Sequence, residues 1–180
     1  MTGWWFEIIT MAVAVNGAGA ALAARSTGGE RISQGVLAAI IGGGVLMLAA
    51  LVGDSVVDGL DVEPESFRTA AGIVMAVQGA RMAWDPASTY RSGDGIRFAI
   101  VPLGWPVIGN AAAIMAAIGF SADGPDSRIF AASVLAAAVA GAAIAQPFGR
   151  DNVAPGLARA LGAVLIAMAA ALVVSGVRDV

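Results

Sequence analysis

Long apolar runs joined by short polar connections dominate this chain, and they leave few folds open to it. Crossing a lipid core takes a helix of about 20 mostly apolar residues. Six segments fit: Phe6–Ala24, Val36–Val57, Ala70–Trp84, Phe98–Phe120, Ile129–Gln146 and Leu157–Val177. The third is short unless it begins near Phe67. Little chain remains between the segments, so the expectation is one transmembrane domain over residues 1–180. The fold class expected is all-α, a polytopic membrane protein of about six transmembrane helices. Composition agrees. Charged residues make up 13% of the chain, against about 25% in soluble domains. Gly (24 residues) and Ala are abundant, and small residues let helix backbones approach closely in lipid. The first segment ends in Ala21-Leu22-Ala23, which resembles a cleavage site. Met1 to Glu7 holds no Lys or Arg, however, and a signal peptide starts basic, so this helix is expected to be retained.

The inventory also excludes chemistry. There is no Cys and no His, which removes disulfides and thiolate or imidazole metal sites. The net charge is −3 with no basic block, so nothing points to nucleic acid. No cofactor is expected and no enzymatic role: paired intramembrane carboxylates are missing along with His and Cys.

The arginines give an orientation. All ten basic residues are Arg. Arg25, Arg31, Arg81, Arg91, Arg97, Arg150 and Arg159 fall on or beside alternate connections on one side, while Arg68, Arg128 and Arg178 fall on the other. Basic residues favour the cytoplasmic side, so both termini are expected outside. Trp4, Trp5 and Phe6 would form an outer aromatic anchor and Trp84 an inner one. The longest inner connection, Asp85 to Gly95, reads as a solvated linker.

The two halves echo each other. Val15-Asn16-Gly17-Ala18-Gly19-Ala20 in the first segment resembles Gly109-Asn110-Ala111-Ala112-Ala113-Ile114 in the fourth. Ala71-Gly72-Ile73-Val74 in the third resembles Leu161-Gly162-Ala163-Val164 in the sixth. Three helices per half is odd, so the halves would cross the membrane in opposite senses. Two inverted three-helix repeats, about 1–90 and 91–180, follow, a plan many secondary transporters use.

The echoing segments are also the interrupted ones. Asn16, Gly17 and Gly19 lie near mid-membrane. The fourth segment carries Pro102, Gly104, Pro106, Gly109 and Asn110. Proline removes a backbone donor and strains the turn before it. Freed backbone groups can bind a solute where a helix lines a cavity, and Asn adds two donors and an acceptor. Candidate substrate-binding residues are therefore Asn16, Gly17, Gly19, Pro102, Pro106, Gly109 and Asn110, with Gln78 added as the polar side chain deep in the third segment. The competing reading is packing: glycines as contacts, amides as interhelical ties. Gln78 is as consistent with a tie to a neighbour as with a cavity. Asp54 reads as interfacial and solvated, Arg81 as reaching to the surface. Gly42-Gly43-Gly44 reads as close packing, with a hinge as the second choice.

These stretches resemble the MarC family of bacterial integral membrane proteins. The clearest is Phe67-Arg68-Thr69-Ala70-Ala71-Gly72-Ile73-Val74-Met75, similar to that family's third helix. Ala99-Ile100-Val101-Pro102-Leu103-Gly104-Trp105-Pro106-Val107-Ile108-Gly109 resembles its Pro-Leu-x-x-Pro-x-x-x-Gly stretch, and Arg159-Ala160-Leu161-Gly162 its last helix. The departures fall at the interruptions. Gly17 stands where a Pro is usual, Ala20-Ala21 where a second is, and Gly109-Asn110-Ala111 replaces Gly-Pro-Gly. The resemblance implies six helices, the bacterial inner membrane and transport or export of a small solute, with neutral amino acids the class associated with the family.

Two functions remain open from the sequence. One is a secondary transporter or exporter of a small neutral or zwitterionic solute. With no nucleotide-binding loop, an ion gradient would drive it. No central carboxylate supports a proton path, and sodium held by carbonyl and Asn oxygens stays open. The other is a non-transporting membrane subunit packed against a partner protein.

Overall fold

The structure, a computed structural model, describes residues 4–23, 31–85, 97, 99–122, 126–145 and 153–178. Over these residues it is all-α. Seven α-helices run in the order α1 (Trp4–Ala14), α2 (Gly17–Ala23), α3 (Arg31–Gly59), α4 (Pro64–Trp84), α5 (Ala111–Ser121), α6 (Asp126–Ala145) and α7 (Val153–Arg178). A π-helical segment, Ala99–Ile108, lies between α4 and α5. Three stretches are long and apolar enough to cross a membrane: Trp4–Leu22, Ile32–Gly59 and Pro155–Arg178.

The fifth expected span is the continuous helix α6; the third and fourth differ for physical reasons. α4 is 21 residues long, and it starts at Pro64, six residues before the expected Ala70. Proline suits a first helical turn, because its missing N–H would have no partner there anyway. That early start brings Glu65 and Arg68 into the helix and dilutes its apolar character. The expected fourth span is divided at Gly109 and Asn110 into the π segment and α5. The first is divided at Val15 and Asn16. Gly42-Gly43-Gly44 does not interrupt α3, which runs through it. A Cβ on Gly42 would strike Ile108, and one on Gly43 would lie 3.1 Å from Ala137. Only Gly44 faces open space. The Asp85–Gly95 linker and the arginines Arg25, Arg91 and Arg150 fall almost wholly outside the described residues, Asp85 excepted.

Two helix pairs form the frame. α4 packs chiefly against α7, and α3 against α6. Both pairs are antiparallel. Gly79 meets Gly162 while Gly176 meets Glu65 and Thr69. On the other pair, Gly43 meets Ala137 while Gly141 meets Gly35 and Ala39. A Cβ on Gly79 would lie 2.7 Å from the Gly162 carbonyl, and one on Gly162 would lie 2.6 Å from the Gly79 carbonyl. Glycines there let the two backbones touch. Small residues recur every seventh position, Gly72 and Gly79 on α4, Gly162, Ala169 and Gly176 on α7. That period keeps one seam facing its partner along both helices. The two divided segments fill the space between these pairs. α1 and α2 lie on α6, and the π segment and α5 lie on α3.

Candidate functional site

Both interruptions are built around an asparagine that begins a helix. Asn16 has φ 52°, in the left-handed region. Asn enters that region more readily than most residues, because its short polar side chain bonds locally. The Gly19 N–H donates to Asn16 Oδ1 at 3.0 Å, so Asn16 caps α2 and supplies a partner for one of the unpaired N–H groups of its first turn. The side chain lies over Gly19. A Cβ on Gly19 would fall on the Asn16 amide, 2.7 Å from Oδ1 and nearer still to Nδ2. Gly17 permits a second close approach, its Cβ position being 3.2 Å from the Ala140 Cα on α6.

Asn110 does the same for α5. It is extended (φ −77°, ψ 164°), and the Ala113 N–H donates to its Oδ1 at 3.0 Å. Its Nδ2 donates to the Val107 carbonyl at 3.0 Å and to the Ala14 carbonyl at 2.7 Å. The first bond closes the end of the π segment. The second crosses to the end of α1, two residues before Asn16. An uninterrupted helix would pair the Ala14 carbonyl with the Ala18 N–H; the break at Asn16 releases it. One side chain therefore ties together three helix ends. The π segment closes with a Gly109 N–H bond to the Gly104 carbonyl at 3.0 Å, five residues back.

The breaks are enclosed. Asn16 and Asn110 are each 5% exposed. Met11, Val15, Val107 and Ile108 around them are fully buried. The buried polar residues among those described are Thr10, Asn16, Gln34, Asn110, Ser121 and Ser133, all uncharged.

Of the residues singled out from the sequence, Asn16, Gly17, Gly19, Gly109 and Asn110 gather at these two breaks. Gly109 packs on Val45 and Trp105. Pro102 and Pro106 lie within the π segment; their side chains are outside what is described. Gln78 is half-buried on α4, and no described contact joins it to either asparagine. Sequence reasoning missed the Ala14 carbonyl. The signal was there, since a break at residue 16 frees the carbonyls of the preceding turn. It also missed Thr10, which donates to Met168 Sδ at 3.6 Å. Gln34 Oε1 and Ser133 Oγ are buried without a partner among the described residues.

Against this geometry stand the comparisons with known proteins. The family model for the MarC family integral membrane proteins matches residues 10–180. No curated protein and no solved structure matches. The chain belongs to the MarC family, and it is an integral membrane protein.

Proposed function

We propose that this MarC-family chain is a secondary transporter or exporter of a small neutral or zwitterionic solute, amino acids among them, driven by an ion gradient. The meeting of two discontinuous helices, through the Asn110 to Ala14 bond, carries this reading. Helix breaks beside one another in a membrane expose backbone donors and acceptors to a solute. The enclosed polar groups are uncharged, which suits a solute of no net charge.

In this reading the six segments are transmembrane, in a single domain over residues 1–180. They form two inverted three-helix repeats, about 1–90 and 91–180. The packing supports this. Exchanging the first three spans for the last three carries the antiparallel α3–α6 and α4–α7 pairs onto themselves. It carries α1 and α2 on α6 onto the π segment and α5 on α3. Each half opens with a span broken at an asparagine whose Oδ1 accepts from the N–H three residues on. The protein sits in the bacterial inner membrane with both termini extracytoplasmic, as the arginine distribution favours.

Reconstitution in liposomes tests the function. Neutral amino acids are offered with imposed sodium and proton gradients, and flux is compared with protein-free liposomes. Native protein is expected to carry flux; Asn16→Leu and Asn110→Leu, folded and inserted, are not. Folded Leu variants that transport at the native rate would remove the site.

A second reading, a non-transporting subunit, has one observation in its favour. All the hydrogen bonds seen on the Asn110 side chain are to the protein's own backbone. Flux absent under every gradient would favour it.

A further inference from the structure

We propose that the Asn110 to Ala14 hydrogen bond is a latch that holds the two broken helices closed, and that the Ala99–Ile108 π segment is the element that moves when it opens. The latch's role in a cycle rests on the transport reading; its existence as a local opening does not.

The geometry points to this in four steps. First, the breaks are sealed. Val15, Val107 and Ile108 are fully buried and both asparagines nearly so, so a solute reaches the freed backbone only after something parts. Second, the described side-chain hydrogen bond joining the two broken spans is the one from Asn110 Nδ2 to the Ala14 carbonyl. Third, the two counterparts differ in form. Trp4–Ala14 is α-helical, whereas Ala99–Ile108 is π-helical over ten residues. The π form is rare, found mostly as single turns and frequently at functional sites. Pro102 and Pro106 remove two backbone donors from this run, and a change in the spacing of its remaining bonds would turn Val107 and Ile108 about the helix axis. Fourth, the segment is seated on α3 differently from the way α4 is seated on α7. Side chains rest in glycine notches, Ile41 on Gly104, Ile108 on Gly42 and Val45 on Gly109, whereas Gly79 and Gly162 bring backbone against backbone. Turning the segment lifts Ile108 off Gly42 and leaves the α4–α7 seam, the fixed frame, untouched.

The natural chain has no cysteine, so single cysteines report accessibility without background. Val107→Cys and Leu165→Cys both replace fully buried residues, the first on the π segment and the second on α7. Each is made in the native chain and with Asn110→Ser. Serine caps a helix about as well as Asn, but it lacks the Nδ2 that donates to the Ala14 and Val107 carbonyls. A membrane-impermeant maleimide is applied to each protein in liposomes without solute. Asn110→Ser is expected to speed labelling at position 107 about tenfold or more, the equilibrium shift that losing the Nδ2 bonds to Ala14 and Val107 produces. Labelling at position 165 is expected to stay unchanged. Equal rates at 107 with and without Asn110→Ser would overturn the latch, and so would equal acceleration at both positions. Should Asn110→Ser not fold, hydrogen exchange on the native protein decides. The amides of Val107, Ile108 and Gly109 are expected to exchange at least about tenfold faster than those around Leu165, because opening is local. Equal protection would overturn the proposal. Labelling reads opening with no solute present, so a latch that opens in a protein without flux removes only the transport reading. Flux with no change at 107 removes only the latch.

Discussion

Two asparagines hold the breaks, and the backbone beneath them decides what each tolerates. Asn16 sits at φ 52°, where Gly is at ease and a β-branched side chain is not. Asn16→Gly is expected to cost only a few tenths of a kcal/mol, since Gly is nearly as good a cap as Asn. Asn16→Val should cost about 2 kcal/mol or more, combining the lost cap with backbone strain. Thermal unfolding in detergent checks the order. Gly19→Ala is a sharper test of the same cap. Its Cβ would displace the Asn16 amide from the Gly19 N–H, a loss of about 1 kcal/mol, the usual value of an N-cap, which cancels the gain of about 0.5–1 kcal/mol that alanine brings within a helix. A Gly19→Ala protein more stable than native by that full gain would show that the cap contributes nothing. The candidate residues themselves were legible in the sequence, because an amide beside glycines in an apolar run is costly without a partner. Their partners were not. The Ala14 carbonyl carries no side-chain signal, and 96 positions separate it from Asn110.

At the scale of elements, the glycines divide into those that touch a backbone and those that touch nothing. Gly79 and Gly162 face each other across the α4–α7 seam. Replacing either with Leu forces the helices apart and forfeits packing along the seam, at a cost of several kcal/mol, roughly that of severe overpacking. Folded yield and elution as a single species measure it. Gly44 meets nothing within 4 Å. Gly44→Ala is expected to leave stability unchanged or raise it by about 0.5–1 kcal/mol, since glycine within a helix is unfavourable by that amount. A large loss at Gly44 would reveal a contact from outside the chain. The echo of Gly72 and Gly162 in the two halves was visible in the sequence. The seven-residue spacing that aligns them with Gly79, Ala169 and Gly176 across one interface becomes meaningful only once α4 and α7 are known to be neighbours.

For the whole molecule, the arginine distribution predicts both termini outside. A C-terminal reporter active only outside the cytoplasm should be active, and a cytoplasm-only reporter silent; the reverse pattern would invert the topology. The sequence by itself determined the solvent and the fold class. Apolar runs of spanning length, with 13% charged residues, can hold their backbone polar groups in lipid only as helices. It also located the breaks, since Gly, Pro and Asn act on the backbone within a turn of where they stand. The tertiary structure alone decided how those breaks are closed. Whether a proline-bearing segment becomes a kinked α-helix or a π-helix depends on the partner it lies against, here Ile41, Gly42 and Val45 of α3. Whether a freed carbonyl is left for a ligand or taken by a distant amide depends on which helix ends the fold brings within 3 Å. Local chemistry marks where a helix stops; only packing determines what meets it there.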